Sequence, residues 1–138
     1  FDLIFFLGGL FLFAARLRSV GVGAPLTEFY AGHRHHEGVH LGLIGVISAL
    51  GSALVDNHPM ALLNMMALEQ EGARPLLAAL VGGDIGPRLL PIGSLAGLLW
   101  LDLLRRRGID IGIVKFMRLG TLVLIPTLSV SLLMLWLM

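Results

Sequence analysis

Apolar residues run through this chain in long stretches, each closed by a short polar or basic cluster. Apart from Asp2, residues 1–20 are apolar up to Arg16 and Arg18; residues 41–55 carry no charge, and residues 60–68 are apolar apart from Asn64 up to Glu69-Gln70-Glu71. Residues 76–104 hold few charges, and residues 114–138 form a clean apolar run with Lys115 and Arg118 at its start and Trp136 near its end. A bilayer-crossing helix needs about 20 predominantly apolar residues. The pattern predicts an all-α membrane protein: a truncated membrane helix over 1–20, an interfacial segment over 21–40, a helical hairpin over 41–71, a broken membrane helix over 74–107 and a spanning helix over 114–138. Only 15 residues precede Arg16 and the first is not Met, so the chain is expected to start within a helix as part of a larger protein.

The interruptions carry more information than the runs. Val81-Gly-Gly-Asp-Ile-Gly-Pro-Arg-Leu-Leu-Pro-Ile-Gly-Ser94 places Asp84 and Arg88 near the middle of a membrane-length apolar stretch. Charges are costly in hydrocarbon and usually face a cavity or a solute path. Gly86-Pro87 and Pro91-Ile92-Gly93 break the helix at the same depth, and irregular backbone there is tolerated only inside protein or beside water. The segment reads as a discontinuous transport helix, with carbonyls freed at Gly86-Pro87 and a helix restarting around Ser94, its positive end toward the break. Arg88 is expected to pair with Asp84 or Asp56, or to attract an oxyanion; the structural alternative is a kink held by an internal ion pair.

The second interruption is Asp56-Asn57-His58-Pro59. Residues 41–55 look too short to span comfortably, so 41–71 is read as a re-entrant hairpin with this tetrapeptide at its tip. The alternative is a single kinked helix over 41–68, because Pro59 can bend a helix without reversing it. A tip offers carbonyls from one helix end and N–H groups from the next, and Asp56 is a candidate ion or proton carrier. Its plainer role is an Asx cap on the following helix. Upstream, Gly38, Gly42, Gly45, Ala49, Ser52 and Asp56 recur at spacings of four and three, a stripe of small residues that lets helices approach closely. Residues 24–32 are expected to form a short interfacial helix with Leu26, Phe29 and Tyr30 on one side.

Composition agrees with a membrane protein: 57% of residues are hydrophobic and 14% charged, against about 25% charged in soluble domains, and mean hydropathy is +0.89. The net charge of +1 and the lack of a basic patch interleaved with aromatics give no reason to expect a nucleic-acid partner. Cysteine is absent from the chain, which excludes disulfides, thiolate metal sites and a cysteine nucleophile within it. The segment His33-Arg34-His35-His36-Glu37 with His40 has the residue types of a metal site, but it is flanked by Gly32 and Gly38 and is read as a solvated loop, with no metal or cofactor expected. Nothing else in the chain resembles a catalytic motif, and no enzyme activity is expected. Basic residues at 105–118 suggest a cytoplasmic loop, with the C-terminus and the loop around Arg74 outside; Arg16, Arg18 and Arg34 also fall outside if the hairpin is re-entrant.

Residues 82–100, Gly-Gly-Asp-Ile-Gly-Pro-Arg-Leu-Leu-Pro-Ile-Gly-Ser-Leu-Ala-Gly-Leu-Leu-Trp, resemble the signature of arsenical pump membrane proteins, the ArsB-type arsenite efflux permeases of the ion transporter superfamily. Asp56-Asn57-His58-Pro59 resembles the Asn-Asn-x-Pro hairpin motif of that family at the expected distance upstream. The resemblance covers nearly the whole chain and implies the C-terminal part of a longer permease built from two inverted repeats, with this chain holding most of the second. Three departures stand out: Asp56 replaces the first Asn, and Leu90 and Gly97 stand where Thr is common. The implied function is export of arsenite or antimonite by proton-coupled antiport across a bacterial-type inner membrane. Asp56, Asn57, Asp84, Gly86, Pro87, Arg88, Pro91, Gly93 and Ser94 form the expected substrate and ion site, and a sodium- or proton-coupled carboxylate or anion permease of the same superfamily is the nearest alternative. A membrane scaffold or metal-binding protein is the alternative of another class. Expected partners are the lipid bilayer, a small inorganic oxyacid or anion and the N-terminal half of the permease. A soluble ATPase subunit and a second copy of the permease are further candidates.

Overall fold

The computed structural model describes residues 2–138, and Phe1, the first residue of the expected helix, lies outside the described residues. The elements are helical throughout, with no strand among the described residues: α1 (Asp2–Val20), α2 (Ala24–Ala31), α3 (Glu37–Val55), α4 (Asn57–Ala67), α5 (Ala73–Ile85), α6 (Leu95–Arg106) and α7 (Ile113–Leu137). Two 3₁₀ turns, Gly86–Arg88 and Pro91–Gly93, separate α5 from α6.

Helix α3 starts four residues before the expected apolar run, its first turn held by Arg74 on Glu37 and Trp136 on Gly38. Its 19 residues correct the view of this segment as too short: α3 and the 25-residue α7 are both long and apolar enough to cross a membrane. At Asp56 the chain reverses. Asn64 on α4 donates from Nδ2 to Ser48 Oγ on α3 at 2.9 Å, and Met60 lies against Gly51. In a single continuous helix residues 48 and 64 would stand about 24 Å apart, so α4 folds back along α3 and the kinked-helix alternative is excluded. Pro59 sits in the first turn of α4, where its missing N–H costs nothing.

The small-residue stripe on α3 is the seam on which the fold is built. A side chain at Gly82 of α5 would collide with the Gly45 carbonyl, and one at Gly86 with the Ala49 carbonyl and Ser52 Oγ. On α7, Leu132 covers Gly45, and the Trp136 indole covers Gly38. The stripe thus serves two partners, α5 and α7, while a side chain at Gly42 would enter open space. Apolar packing follows the same lines, with Leu41, Ile44, Ala78, Ala79 and Leu135 in one cluster and Ala49, Ile85 and Leu128 in the next. Helix α2 departs from expectation: Tyr30 is fully buried and Leu26 packs on the first cluster, but Phe29 stays 45% exposed. Rotation by about 100° per residue puts one aromatic in and its neighbour out.

Helix α7 measures depth along the molecule. It runs antiparallel to α3, with Trp136 beside Gly38, Leu132 beside Gly45, and Leu128 packed with Ala49 and Ile85. Farther along, Gly120 lies against the Arg88 carbonyl. The start of the interruption between α5 and α6 therefore lies opposite Gly120 to Leu128, within about 8 Å of Ile125, the midpoint of α7. Ion pairs occupy the ends: Arg18–Glu69 at 3.5 Å, Arg74–Glu37 at 2.7 Å and Arg34–Glu71 at the Trp136 end. Arg106–Asp102 at 2.8 Å and Arg105–Asp110 at 3.4 Å lie at the end where α6 turns into α7.

Candidate functional site

The nine expected site residues lie on two structures that touch. The hairpin tip carries Asp56 and Asn57. Asp56 has φ 80° and ψ 154°, a region almost reserved for glycine and costing about 1–3 kcal/mol elsewhere. Its carboxylate compensates in part. Oδ1 accepts the His58 N–H at 3.1 Å, capping α4, and lies 3.1 Å from His58 Nδ1. The plainer expectation for Asp56, an Asx cap, is thus what its carboxylate does; Asn57 follows as the first, half-buried residue of α4.

Gly86, Pro87, Pro91 and Gly93 are all buried in the second structure. A Cβ on Gly93 would stand 2.8 Å from Ala53 Cα and 2.9 Å from the carbonyl oxygens of Ser52 and Ala53. This close approach seats the break against the last turn of α3, three residues before Asp56. Leu90 is extended (φ −128°, ψ 140°), as expected before proline. Ser94 then caps α6, its Oγ accepting the Gly97 N–H at 3.4 Å. The helix thus restarts at Leu95, past the Pro-Ile-Gly turn, and its positive end points back toward the break.

Asp84 and Arg88 depart from the expected ion pair. The Arg88 guanidinium donates to the Asp84 main-chain carbonyl at 2.8 Å, so it satisfies backbone freed where α5 ends instead of neutralising a carboxylate. The Asp84 side chain is exposed on this chain, with no ion pair to either Arg88 or the tip. At the height of the middle of α7, an exposed carboxylate and an exposed guanidinium mark a face that cannot rest on acyl chains at low cost. A cavity of about 250 Å³ opens beside Arg88, walled by Trp100, Ile111, Phe116, Leu119 and Val123. Its walls are apolar, and of the nine site residues Arg88 alone lines it.

Two polar groups escaped the sequence reading. Inside the hairpin, Tyr30 Oη donates to Asn64 Oδ1 at 3.0 Å, and Asn64 in turn donates to Ser48. All three are at most 2% exposed. Burial pushes the Tyr30 phenol above its ordinary 10.0, partly opposed by the nearby Ser48 hydroxyl. The other group is His40 with Glu71: His33, His35 and His36 are exposed as expected of a solvated loop, but His40 is buried on α3. Isolated polar residues within apolar helices were the available signal for Ser48 and Asn64, whereas His40 adjoins the polar histidine cluster and gave none. Among the described residues no three metal-ligating side chains converge.

A family model described as arsenical pump membrane protein matches residues 1–138. An arsenical pump membrane protein of Escherichia coli (strain K12) is 29% identical over 142 residues, covering 95% of this chain and 32% of that protein. A putative arsenical pump membrane protein of Bacillus subtilis (strain 168) is 31% identical over 88 residues, 59% of this chain and 20% of that protein. An uncharacterized transporter of Mycobacterium tuberculosis is 32% identical over 149 residues, 99% of this chain and 34% of that protein. The chain spans about a third of the length of the curated relatives it matches. No solved structure matches it. With the family match running through residues 1–138, the chain belongs to the arsenical pump membrane protein family.

Proposed function

We propose that this chain forms one half of the solute path of a secondary active transporter, exporting arsenite or antimonite by proton-coupled antiport across the inner membrane. The observation that carries the reading is the unwound backbone opposite the midpoint of α7, flanked by Asp84 and Arg88 and seated beside the tip at Asp56 and Asn57. Asp56 and Asp84 are the ionisable groups that take up protons or pair with cations. Asn57 and Ser94 hydrogen-bond the solute, and Gly86, Pro87, Pro91 and Gly93 shape the break. Helices α3 and α4 form a re-entrant hairpin that enters from the Trp136 end, and α5 and α6 form the discontinuous helix of the second of two inverted repeats. The exposed face with Asp84 and Arg88 packs on the N-terminal half, where water and solute replace hydrocarbon.

Arsenite efflux from cells carrying the full-length protein tests this directly. Asp84→Asn should reduce efflux at unchanged membrane levels of the protein, and unchanged efflux removes Asp84 from the mechanism. Arg88, a cation exposed at the same depth, supports a second reading, a sodium- or proton-coupled carboxylate or anion permease. Sodium dependence and competition by citrate would select that reading over arsenite export.

A further inference from the structure

Away from the break, at the Trp136 end, one ionisable side chain is buried without a purpose in the site described so far. The His40 side chain is 7% exposed, and neither ring nitrogen has a hydrogen-bond partner. Buried polar atoms are nearly always paired, and leaving one unpaired is costly. Its nearest ionic neighbour is Glu71, 13% exposed, whose Oε2 lies 3.8 Å from His40 Nε2. That is an ion-pair separation too long for a hydrogen bond. The other Glu71 oxygen takes Arg34. The remaining charges around this end are Glu37 on the first turn of α3, paired with Arg74 of α5 at 2.7 Å, and Glu69, paired with Arg18 of α1. Tyr30 and the exposed loop histidines His33, His35 and His36 come from α2 and the loop after it, Asn64 from α4, and α7 contributes no charge in its last turn.

We propose that His40 and Glu71 form a proton-binding site, separate from the carboxylates at the tip and the break, through which the pH on the Trp136 side acts on transport. The inference rests on the proton-coupled reading above. The step is simple: His40 Nε2 takes one proton from water reaching Glu71, forming an imidazolium whose N–H is directed at Glu71 Oε2, and returns it to the same water when the pH on that side rises. Closing 3.8 Å to hydrogen-bond length draws the first turn of α3 toward the connection between α4 and α5. The first of these helices leads to the tip at Asp56 and α5 leads to the break, so protonation at His40 is transmitted to both halves of the solute site. The Trp136 end is the outer side in the expected topology, the side from which protons enter an exporter.

The test uses the full-length protein in proteoliposomes, with arsenite transport driven by an imposed pH gradient and, separately, arsenite exchange at equal pH on both sides. Histidine switching is sampled by setting the pH on the His40 side between about 6 and 8. The proposal expects His40→Gln and Glu71→Gln to flatten the dependence of gradient-driven transport on that pH while equal-pH exchange, whatever its rate, continues. Variants that keep the wild-type pH profile overturn the proposal and leave the proton-coupled reading standing. A wild-type protein that ignores the imposed gradient overturns both. Should the variants fail to fold, site-resolved ¹⁵N spectra of the wild type decide: the His40 nitrogens moving between neutral and imidazolium positions over that range support the site, and nitrogens that stay neutral throughout overturn it.

Discussion

Replacing Gly86 with alanine probes the seating of the break on α3. A methyl group at this position meets the Ala49 carbonyl and Ser52 Oγ. The carbonyl belongs to the backbone of a helix held on both sides, so no rotamer change relieves the contact. Overpacking in a tight site costs about 1–3 kcal/mol, and a backbone obstacle places Gly86→Ala at about 3 kcal/mol. That corresponds to roughly a hundredfold shift away from the packed arrangement, at tenfold per 1.4 kcal/mol. Two glycines on the same seam give a graded comparison. At Gly45 the obstacle is the Leu132 side chain, with Cδ2 2.7 Å from the added methyl, and its rotation limits the cost to about 1 kcal/mol. At Gly42 the space is open, and alanine should be neutral or up to about 1 kcal/mol stabilising. Thermal unfolding of the purified full-length protein, read beside arsenite efflux in cells, should rank Gly86→Ala well below Gly45→Ala and Gly42→Ala in both. Wild-type stability and efflux for Gly86→Ala would refute the seating of the break against Ala49 and Ser52.

Other perturbations separate structure from transport. Asp56→Gly removes a costly backbone conformation, about 1–3 kcal/mol, and loses a cap of about 1 kcal/mol; it should fold at least as well as wild type yet lose arsenite efflux, and retained efflux would relieve Asp56 of any ionic role. Asn64→Leu strands the Tyr30 and Ser48 hydroxyls inside the hairpin and should cost about 2–4 kcal/mol by thermal unfolding, with Tyr30→Phe costing about half as much. Because the folded Tyr30 phenol keeps its proton above 10.0 while the unfolded one releases it, stability should fall as pH rises past about 10. Tyr30→Phe should remove that part of the alkaline loss in a denaturation series, and an unchanged alkaline profile would count against the burial of the phenol.

Much of this arrangement was legible because glycine, proline and charge inside apolar runs have few meanings in a membrane. Gly86-Pro87 and Pro91-Ile92-Gly93 marked the break, and Asp56-Asn57-His58-Pro59 the reversal. The small-residue stripe marked the seam, although one dimension of periodicity hid its division between α5 and α7. Local sequence also hid the start of α3. The expected start at residue 41 followed hydropathy, whereas Glu37 and His40 belong to the helix because Arg74, Glu71 and Trp136 of distant segments surround them. The Arg88 contact was misread for a related reason. Charge pairing suggested a carboxylate partner, but a helix ending at Ile85 leaves carbonyls unfilled and the guanidinium is within reach of one. The Tyr30–Asn64–Ser48 network depended on how α2 and α4 pack on α3, which spacing along the chain does not encode.

A solute path through the break requires water at the level of the α7 midpoint, and spin-label accessibility measures it. The chain contains no cysteine, so single cysteines can be placed at Asp84, at Ser94 and at Ile125, the exposed midpoint of α7, in a full-length background free of other cysteines. Collisions with a water-soluble nickel chelate are compared with collisions with oxygen in bilayers. Chelate accessibility is expected at 84 and 94, and oxygen-dominated accessibility at 125. Oxygen-dominated accessibility at all three positions, the pattern of side chains against acyl chains, would contradict that path.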